Sequence, residues 1–339
     1  MGGGSWSNDA YKSSSKGRDA FKTSDAVLSK PRNEQKADEQ LSPFGLVCRE
    51  SRDNEEHPNS NAIAVGLDIT GSMSSVVVEI QSNLGKLMGM LIEYGIIEDP
   101  QLLFYAIGDE GEGDPIPFQI SQFESDIRIN DQLKKIVLVG RGGGNLCESY
   151  ELGHYAMARH TALDCFEKRG RKGYLIKIGD ECAYGVVKAK EVKKIFDAQI
   201  GEDIALKTVV KEVTDKFNVL HIIPAGSSHF NNPKVRNFWT NLMGKNRVVY
   251  PRAEIVCETI AMFIGLTEGK FDLAGGIELI TKTSSKKVAE EVAKVLADYA
   301  ETLGPVTKLT SPKNGSGKSE TKIDPNTGKP NKGKPGRLF

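Results

Sequence analysis

The chain has 339 residues, with 45 basic and 45 acidic side chains, so its formal net charge is zero. A chain of this length can bury one large core or two smaller ones, and the neutral balance gives no overall field that would favour nucleic acid or an anionic membrane. Its five cysteines include no Cys-x-x-Cys pair, which argues against a disulfide framework and against a structural zinc site.

The beginning of the chain is polar. Residues 1–59 have apolar positions too sparse and aperiodic to build a core, so they predict a largely disordered or docking arm. No stretch reaches the roughly 18 apolar residues that spanning a bilayer requires, and the first residues lack the basic and then apolar plan of a secretion signal. We therefore expect a cytoplasmic protein without membrane contact.

Beyond the arm, apolar runs alternate with amphipathic stretches. Runs of continuous apolar residues predict buried strands, and apolar residues at helical spacing predict helices packed on one face. In chain order the pattern predicts a strand at 62–68, a helix with an apolar face from Ile80 to Ile92, a strand at 101–109, an acidic turn and antiparallel edge strand at 110–123, a short helix, a long helix at about 148–168, a strand at 173–180, helices around 188–198 and 203–216, a strand at 218–223, a helix at 233–243, a strand at 247–250 and a helix at 253–265.

This alternation predicts an α/β fold with a doubly wound, mostly parallel sheet, one antiparallel edge strand and helices on both faces. We expect the main domain at 60–268 and a C-terminal helical extension at 269–310. The last helix of that extension packs against the sheet or contacts a partner. Residues 311–339 are rich in Gly, Pro, Lys and Asn, which predicts a disordered basic tail.

Asp68, Thr70 and Ser72 occupy alternate positions directly after the first predicted strand. Parallel sheets place their binding sites beyond the carboxyl ends of their strands. A carboxylate followed by two hydroxyls offers hard oxygen ligands, which suit Mg²⁺ or Mn²⁺. Asp180 ends another predicted strand, so the same rule directs it to the same crevice.

The glycine-rich stretch "GRGGGN" at 140–145, with three consecutive glycines before Asn145, precedes a predicted helix. Glycines let the backbone approach an ion or ligand closely, and Asn145 supplies a neutral oxygen at the helix entrance. Asp109, in the acidic turn, either tunes a metal or belongs to a solvated hairpin. Glu148 either adds a favourable charge at the start of the helix or lies close to the metal without binding it.

Together, "DITGSM", a glycine-rich turn that enters a helix and a strand that ends in Asp resemble the von Willebrand factor A domain family, over about residues 60–265. "GGGN", "ESYEL" and "GDE" at 108 and 179 are similar to its prokaryotic and phage branch. The family motif Asp-x-Ser-x-Ser is matched with Thr70 in place of the first Ser, and Asn145 stands after Gly144 where the family usually has Thr.

The resemblance implies a Rossmann-like fold and a metal-ion-dependent adhesion site that holds Mg²⁺ or Mn²⁺. Its ligands would be Asp68, Thr70, Ser72, Asn145 and Asp180, and Asp109, Gly144 and Glu148 would lie beside them. It also implies a non-enzymatic module in which a partner protein supplies an Asp or Glu to the metal. By analogy with the family, an ATP-driven remodelling machine is a possible associate.

Two other functions compete with this interpretation. A metal-dependent phosphohydrolase would use Asp68 as a nucleophile, but Thr70 stands where a second Asp would act as the general acid. A nucleic-acid-associated protein would use its basic tail to contact phosphates, and that tail has a single aromatic residue for stacking, Phe339. We expect neither catalysis nor nucleic-acid binding.

Overall fold

The computed structural model describes residues 4–15, 22–140 and 144–304. The strands, numbered in chain order, are β1 Arg49–Ser51, β2 Asn61–Asp68, β3 Pro100–Ile107, β4 Phe118–Ile120, β5 Cys147–Glu148, β6 Thr161–Leu163, β7 Gly173–Ile178, β8 Cys182–Ala183, β9 Val186–Val187, β10 Ile204–Ala205, β11 Phe217–Ile222 and β12 Val248–Val249. The helices are α1 Asn8–Ser15, α2 Lys22–Leu28, α3 Ser74–Glu93, α4 Arg128–Lys135, α5 Tyr150–Arg159, α6 Asp164–Glu167, α7 Ala189–Phe196, α8 Leu206–Lys216, α9 Pro233–Met243, α10 Val256–Thr267, α11 Leu273–Thr283, α12 Lys286–Val295 and α13 Ala297–Leu303.

A six-stranded sheet in the order β12-β11-β7-β2-β3-β4 organises the fold. All of its strand pairs are parallel except β3 with β4, which is antiparallel. β2 is buried along its whole length, as expected for a central strand covered on both faces. The predicted α/β class, with a mostly parallel sheet and an antiparallel edge strand, is confirmed.

Hydrophobic residues form two core clusters, and alternate residues of β2 belong to different ones. Ile63, Val65 and Leu67 pack with side chains of α3 and α10. Ala62 and Ala64 pack with side chains of α5, α8 and α9. This alternation follows from the period of two along a strand, and it accounts for the continuous apolar run in the sequence.

The order of the strands reverses at β2. From β2 the chain moves to β3 and β4 on one side, and later it adds β7, β11 and β12 on the other side. Asp68 is the last residue of β2, and Asp180 follows β7 by two residues. The two acids therefore lie at the carboxyl ends of neighbouring strands, where open parallel sheets form their crevices.

The described part of the N-terminal arm contacts the sheet domain. Leu41 is fully buried in a core cluster. The Ser24 hydroxyl accepts a 2.8 Å hydrogen bond from the amide of Leu138. β1 pairs in parallel with β6, with Arg49 opposite Thr161. Within residues 4–15, 22–140 and 144–304, no helix is both long and apolar enough to cross a membrane.

The expected long helix at 148–168 is wrong, since α5 ends at Arg159 and β6 separates it from α6. The reason is a distant partner: β1 supplies a backbone edge with which β6 pairs. A helical periodicity cannot reveal this partner, because β1 lies more than a hundred residues earlier in the chain. The predicted disordered tail at 311–339 lies outside the described residues.

Candidate functional site

Four oxygen-bearing side chains form a continuous chain of contacts at the carboxyl end of the sheet. The Thr70 hydroxyl donates to Asp68 Oδ1 at 2.6 Å and lies 3.3 Å from the Ser72 hydroxyl. The Ser72 hydroxyl donates to Asp180 Oδ1 at 2.6 Å. The structure thus brings together four of the residues that the sequence indicated, and we call this set the oxygen chain.

Backbone contacts hold the loop between β2 and α3 in place. The amide of Ser228 donates to the Ser72 carbonyl at 3.0 Å, and the amide of Gly140 donates to the Ile69 carbonyl at 3.1 Å. On the other side of the chain, the amide of His229 donates to Asp180 Oδ2 at 2.6 Å. Two other loops, one containing Gly140 and the other Ser228 and His229, therefore position the oxygen chain.

Tyr150 and Gly179 support Asp68, and the sequence analysis missed both. The Tyr150 hydroxyl donates to Asp68 Oδ2 at 2.6 Å. A Cβ on Gly179 would lie 1.8 Å from the Tyr150 hydroxyl oxygen and 2.7 Å from Asp68 Cβ. A glycine is needed here because the backbone directly after β7 passes so close to both side chains. The signal in the sequence was the Gly directly before Asp180.

Asp68 is fully buried. Burial raises its pKa to about 7, and the charge of Asp180 adds to the rise, while the hydrogen bonds from Thr70 and Tyr150 act in the opposite direction. Asp68 therefore gains or loses its proton near neutral pH, so a cation that binds the carboxylate competes with the proton in this pH range.

A second group of acids lies behind the oxygen chain. Glu148 is fully buried, and its carboxyl group shares a hydrogen bond with that of Glu181. Burial and this hydrogen bond raise the pKa of Glu148 well above its usual value, and the charge of Asp68 contributes. Glu181 Oε1 also lies 3.2 Å from His229 Nε2.

The structure places Asn145 and Asp109 beside the oxygen chain, not in it. Asn145 is exposed, its Oδ1 accepts the Cys147 amide, and its Nδ2 donates to Tyr184 and Glu112 at 3.0 Å. Asp109 Oδ1 accepts the Tyr184 hydroxyl at 2.9 Å. Gly144 is exposed, with open space where a Cβ would be. Packing against other residues therefore does not require a glycine at this position.

Two cysteines flank these acids. Cys147 in β5 is the register partner of Cys182 in β8, and both are half-buried free thiols. Burial raises the pKa of both, that of Cys182 to about 12, and the Cys147 thiol contributes to the rise at Cys182. Spacing along the chain does not reveal this pair, because 35 positions separate the two residues.

The chemistry of the residues fits a hard divalent cation. The oxygen chain offers two carboxylates and two hydroxyls, and the buried carboxyl groups of Glu148 and Glu181 lie close enough that the charge of Asp68 raises the pKa of Glu148. Within the described residues no group of three or more His, Cys, Asp or Glu side chains is arranged to hold a metal ion. Any ion here would therefore depend on the hydroxyls of Thr70 and Ser72.

Neither a family model nor a curated protein matches this chain. Among solved structures, the pilus adhesin SpaC from Lactobacillus rhamnosus GG in its open conformation is similar, with a TM-score of 0.42, 11% identity, and coverage of 64% of this chain and 31% of the adhesin. A second SpaC crystal structure gives a TM-score of 0.41, 12% identity, and coverage of 64% and 32%. For three N-terminal domains of the type V pili tip protein Mfa5 from Porphyromonas gingivalis, the TM-score is 0.35 and the identity 11%, with coverage of 62% of this chain and 52% of that structure.

The chain thus spans between 31% and 52% of the length of these structures. Because their TM-scores lie below 0.5, the likenesses carry no argument about function.

The assignment to the von Willebrand factor A family is corrected by these findings. No family model or curated relative supports it. The physical reason is that an acid followed by alternate hydroxyls is also an ordinary way to enter a helix, so the motif alone does not identify a family. The adhesion-type interaction module that the family implied is corrected with it, since no acidic or His/Cys metal cluster is found in the described residues.

Proposed function

We propose that this protein is a non-enzymatic domain that binds one hydrated divalent cation, Mg²⁺ or Mn²⁺, at the oxygen chain. The ion would join the loop after β2 to the loop after β7 through Asp68, Thr70, Ser72 and Asp180. The proposal concerns the ion and the protein's own stability, and it includes no carboxylate from a partner. The observation that carries it is the grouping of four hard oxygen ligands, among them the fully buried Asp68, in one continuous chain of contacts at the carboxyl end of the sheet.

The ion would stabilise the folded protein through its charge. Burying a carboxylate without a counter-charge is costly, and the protein on its own meets that cost by holding protons on Asp68 and Glu148. A divalent cation at the oxygen chain stabilises the ionised form of Asp68 instead. Since the unfolded chain has no assembled site, ion binding adds to the free energy of unfolding, by about 2.7 kcal/mol at a hundredfold excess over Kd.

The hydroxyls support a binding role over catalysis. Thr70 already donates to Asp68, and a threonine hydroxyl cannot act as the general acid that a phosphotransferase places two residues after its nucleophile. We therefore propose no catalytic residue at this site.

We further propose that the sheet is doubly wound, which the two core clusters on either side of β2 support. A cytoplasmic location is proposed as well. Its support is that all five cysteines are free thiols, which is usual in a reducing compartment. Cell fractionation with the full chain tests the location, and recovery outside the cytoplasm would contradict it.

Titration of the full chain with Mn²⁺, followed by the electron paramagnetic resonance signal of free Mn²⁺, tests ion binding directly. We expect saturable binding of one ion, displacement by excess Mg²⁺, and a higher midpoint of thermal unfolding with the ion than with chelator. If the wild-type chain takes up no Mn²⁺ in a saturable way, the proposal is wrong.

A matched pair of variants locates the ion. Ser72→Ala removes one hydroxyl of the oxygen chain, and we expect it to weaken Mn²⁺ binding by about tenfold or more. Ser227→Ala makes the same change on a neighbouring loop, where the hydroxyl donates to the Pro224 carbonyl, and should leave affinity within about twofold. Equal affinities for the two variants would place the ion elsewhere.

A further inference from the structure

Cys147 and Cys182 stand opposite each other in a two-stranded parallel ladder formed by β5 and β8. Adjacent strands lie about 4.7–4.9 Å apart, and residues paired in a parallel ladder direct their side chains to the same face. Disulfides join residues whose Cα atoms are about 4.4–6.8 Å apart. The ladder register therefore places the two thiols within the range that a disulfide needs.

Other contacts fix this register. The amide of Cys182 donates to the Leu146 carbonyl at 2.9 Å. On the other strand, the Cys147 amide donates to Asn145 Oδ1 at 2.8 Å. Both thiols are half-buried, so a small solute can reach them, whereas Cys165 and Cys257 are buried.

We infer that Cys147 and Cys182 are a reversible redox modification site, at which a disulfide ties the loop that carries Glu148 to the loop that carries Asp180 and Glu181. The inference goes beyond ion binding and does not depend on it, because the cross-link forms between protein groups alone. The disulfide would covalently join two loops that otherwise meet only through a two-residue ladder, so that the chain between Cys147 and Cys182 forms a closed ring.

The oxidant is a small-molecule disulfide such as oxidised glutathione. The Cys147 thiol loses its proton to solvent, and the thiolate attacks one sulfur of the oxidant, which expels one glutathione thiolate and leaves a mixed disulfide. The Cys182 thiol then gives its proton to the released glutathione thiolate, and the resulting Cys182 thiolate attacks Cys147 Sγ and expels the second glutathione thiolate, which takes a proton from solvent. Two cysteine thiols are oxidised, and one small disulfide is reduced to two thiols.

The test incubates the ion-free full chain with oxidised glutathione, blocks remaining thiols by alkylation, and maps linked peptides by mass spectrometry. We expect a Cys147–Cys182 peptide that dithiothreitol removes, and a midpoint of thermal unfolding higher by about 5 °C in the oxidised protein, because the cross-link restricts the unfolded chain. Cys147→Ser and Cys182→Ser should each abolish both effects. Cys48→Ser, at the third half-buried thiol, should retain both.

Accumulation of glutathione on Cys147 in the wild-type protein without closure to Cys182 would overturn the inference, and so would linkage of either cysteine to Cys48. Ion binding is measured separately on reduced protein. Loss of Mn²⁺ binding with normal cross-linking would therefore count against the proposed function alone, and the reverse result would count against the redox site alone.

Discussion

Replacing Gly179 with alanine tests whether the fold depends on the close approach of the backbone directly after β7 to Asp68 and Tyr150. The new Cβ would lie 1.8 Å from the Tyr150 hydroxyl oxygen and 2.7 Å from Asp68 Cβ, far inside the optimal nonbonded separation of about 3.5–4.0 Å between carbons. Tyr150 cannot simply retreat, because the rings of Trp239 and His221 lie against it with centroids 5.2 and 6.1 Å away.

Two effects set the size of the loss. Overpacking a close-packed interior costs about 1–3 kcal/mol. Displacing the Tyr150 hydroxyl also breaks its 2.6 Å hydrogen bond to Asp68, and an unsatisfied buried carboxyl oxygen costs about 1–3 kcal/mol more. We expect Gly179→Ala to lower the free energy of unfolding by about 2–6 kcal/mol.

Urea unfolding followed by tryptophan fluorescence and far-ultraviolet circular dichroism measures this loss, since Trp239 packs directly on Tyr150. Gly185→Ala is the matched control: a Cβ there meets open space and its backbone is not in the left-handed region, so the change should stay within about 0.5 kcal/mol. The reasoning fails if the two variants lose the same stability.

A double variant makes the cause specific. Tyr150→Phe removes the hydroxyl that the alanine Cβ would strike, although the ring carbon beneath it remains 2.8 Å from that Cβ. In the Tyr150→Phe background, Gly179→Ala should therefore cost at least about 1 kcal/mol less than in the wild type. Strict additivity of the two changes would refute the steric explanation.

Three further predictions concern buried charge. Burial holds the pKa of Lys177 well below its usual value, and its Nζ donates to His154 Nε2 at 2.9 Å, so the unfolded chain binds a proton that the folded protein does not. The free energy of unfolding of the wild type relative to Lys177→Met should therefore rise from about pH 7 to about pH 9, by up to about 1.4 kcal/mol per pH unit. A difference that stays constant with pH in urea unfolding would contradict this. Burial raises the pKa of Asp164, but hydrogen bonds from Lys168 and Arg52 outweigh burial and lower the pKa to about 2. Asp164→Asn should therefore lower the free energy of unfolding by about 1–2 kcal/mol above about pH 4, and this loss should disappear as the pH falls through about 2. A loss of stability that persists in acid would exclude the ion pairs as its cause. Because burial raises the pKa of Asp68 to about 7, Mn²⁺ must displace a proton below that pH; its affinity should increase by about tenfold from pH 6 to pH 8, and a pH-independent affinity would exclude Asp68 as a ligand.

The central strands could be predicted from the sequence because their burial leaves a local signature. β2 and β3 are covered on both faces, so each is a continuous apolar run, and the acid at the end of β2 marks where the strand leaves the core. The rule that parallel strands present their carboxyl ends together then brought Asp68 and Asp180 to one crevice. These inferences need no knowledge of distant partners.

The parts that failed depend on long-range contacts. The helix predicted at 148–168 is broken by β6, whose partner β1 belongs to a segment with little apolar content. Asn145 follows the glycine run as predicted, but Tyr184 and Glu112 bind its side chain and draw it away from Asp68. Tyr150 contacts Asp68 across 82 positions, a distance at which spacing in the sequence carries no information.

The pairing of β1 with β6 has a consequence for where this protein can be cut. A shortened protein that begins at residue 60, the boundary that composition suggests, would lack Arg49, whose amide donates to the His160 carbonyl at 2.8 Å, and Leu41, which fills part of the interior. Its sixth strand would then be a bare edge, with the adjoining hydrophobic surface open to water, and bare edges recruit other chains. Expression of such a fragment should yield aggregates, so any work with pieces of this molecule has to keep the polar beginning attached.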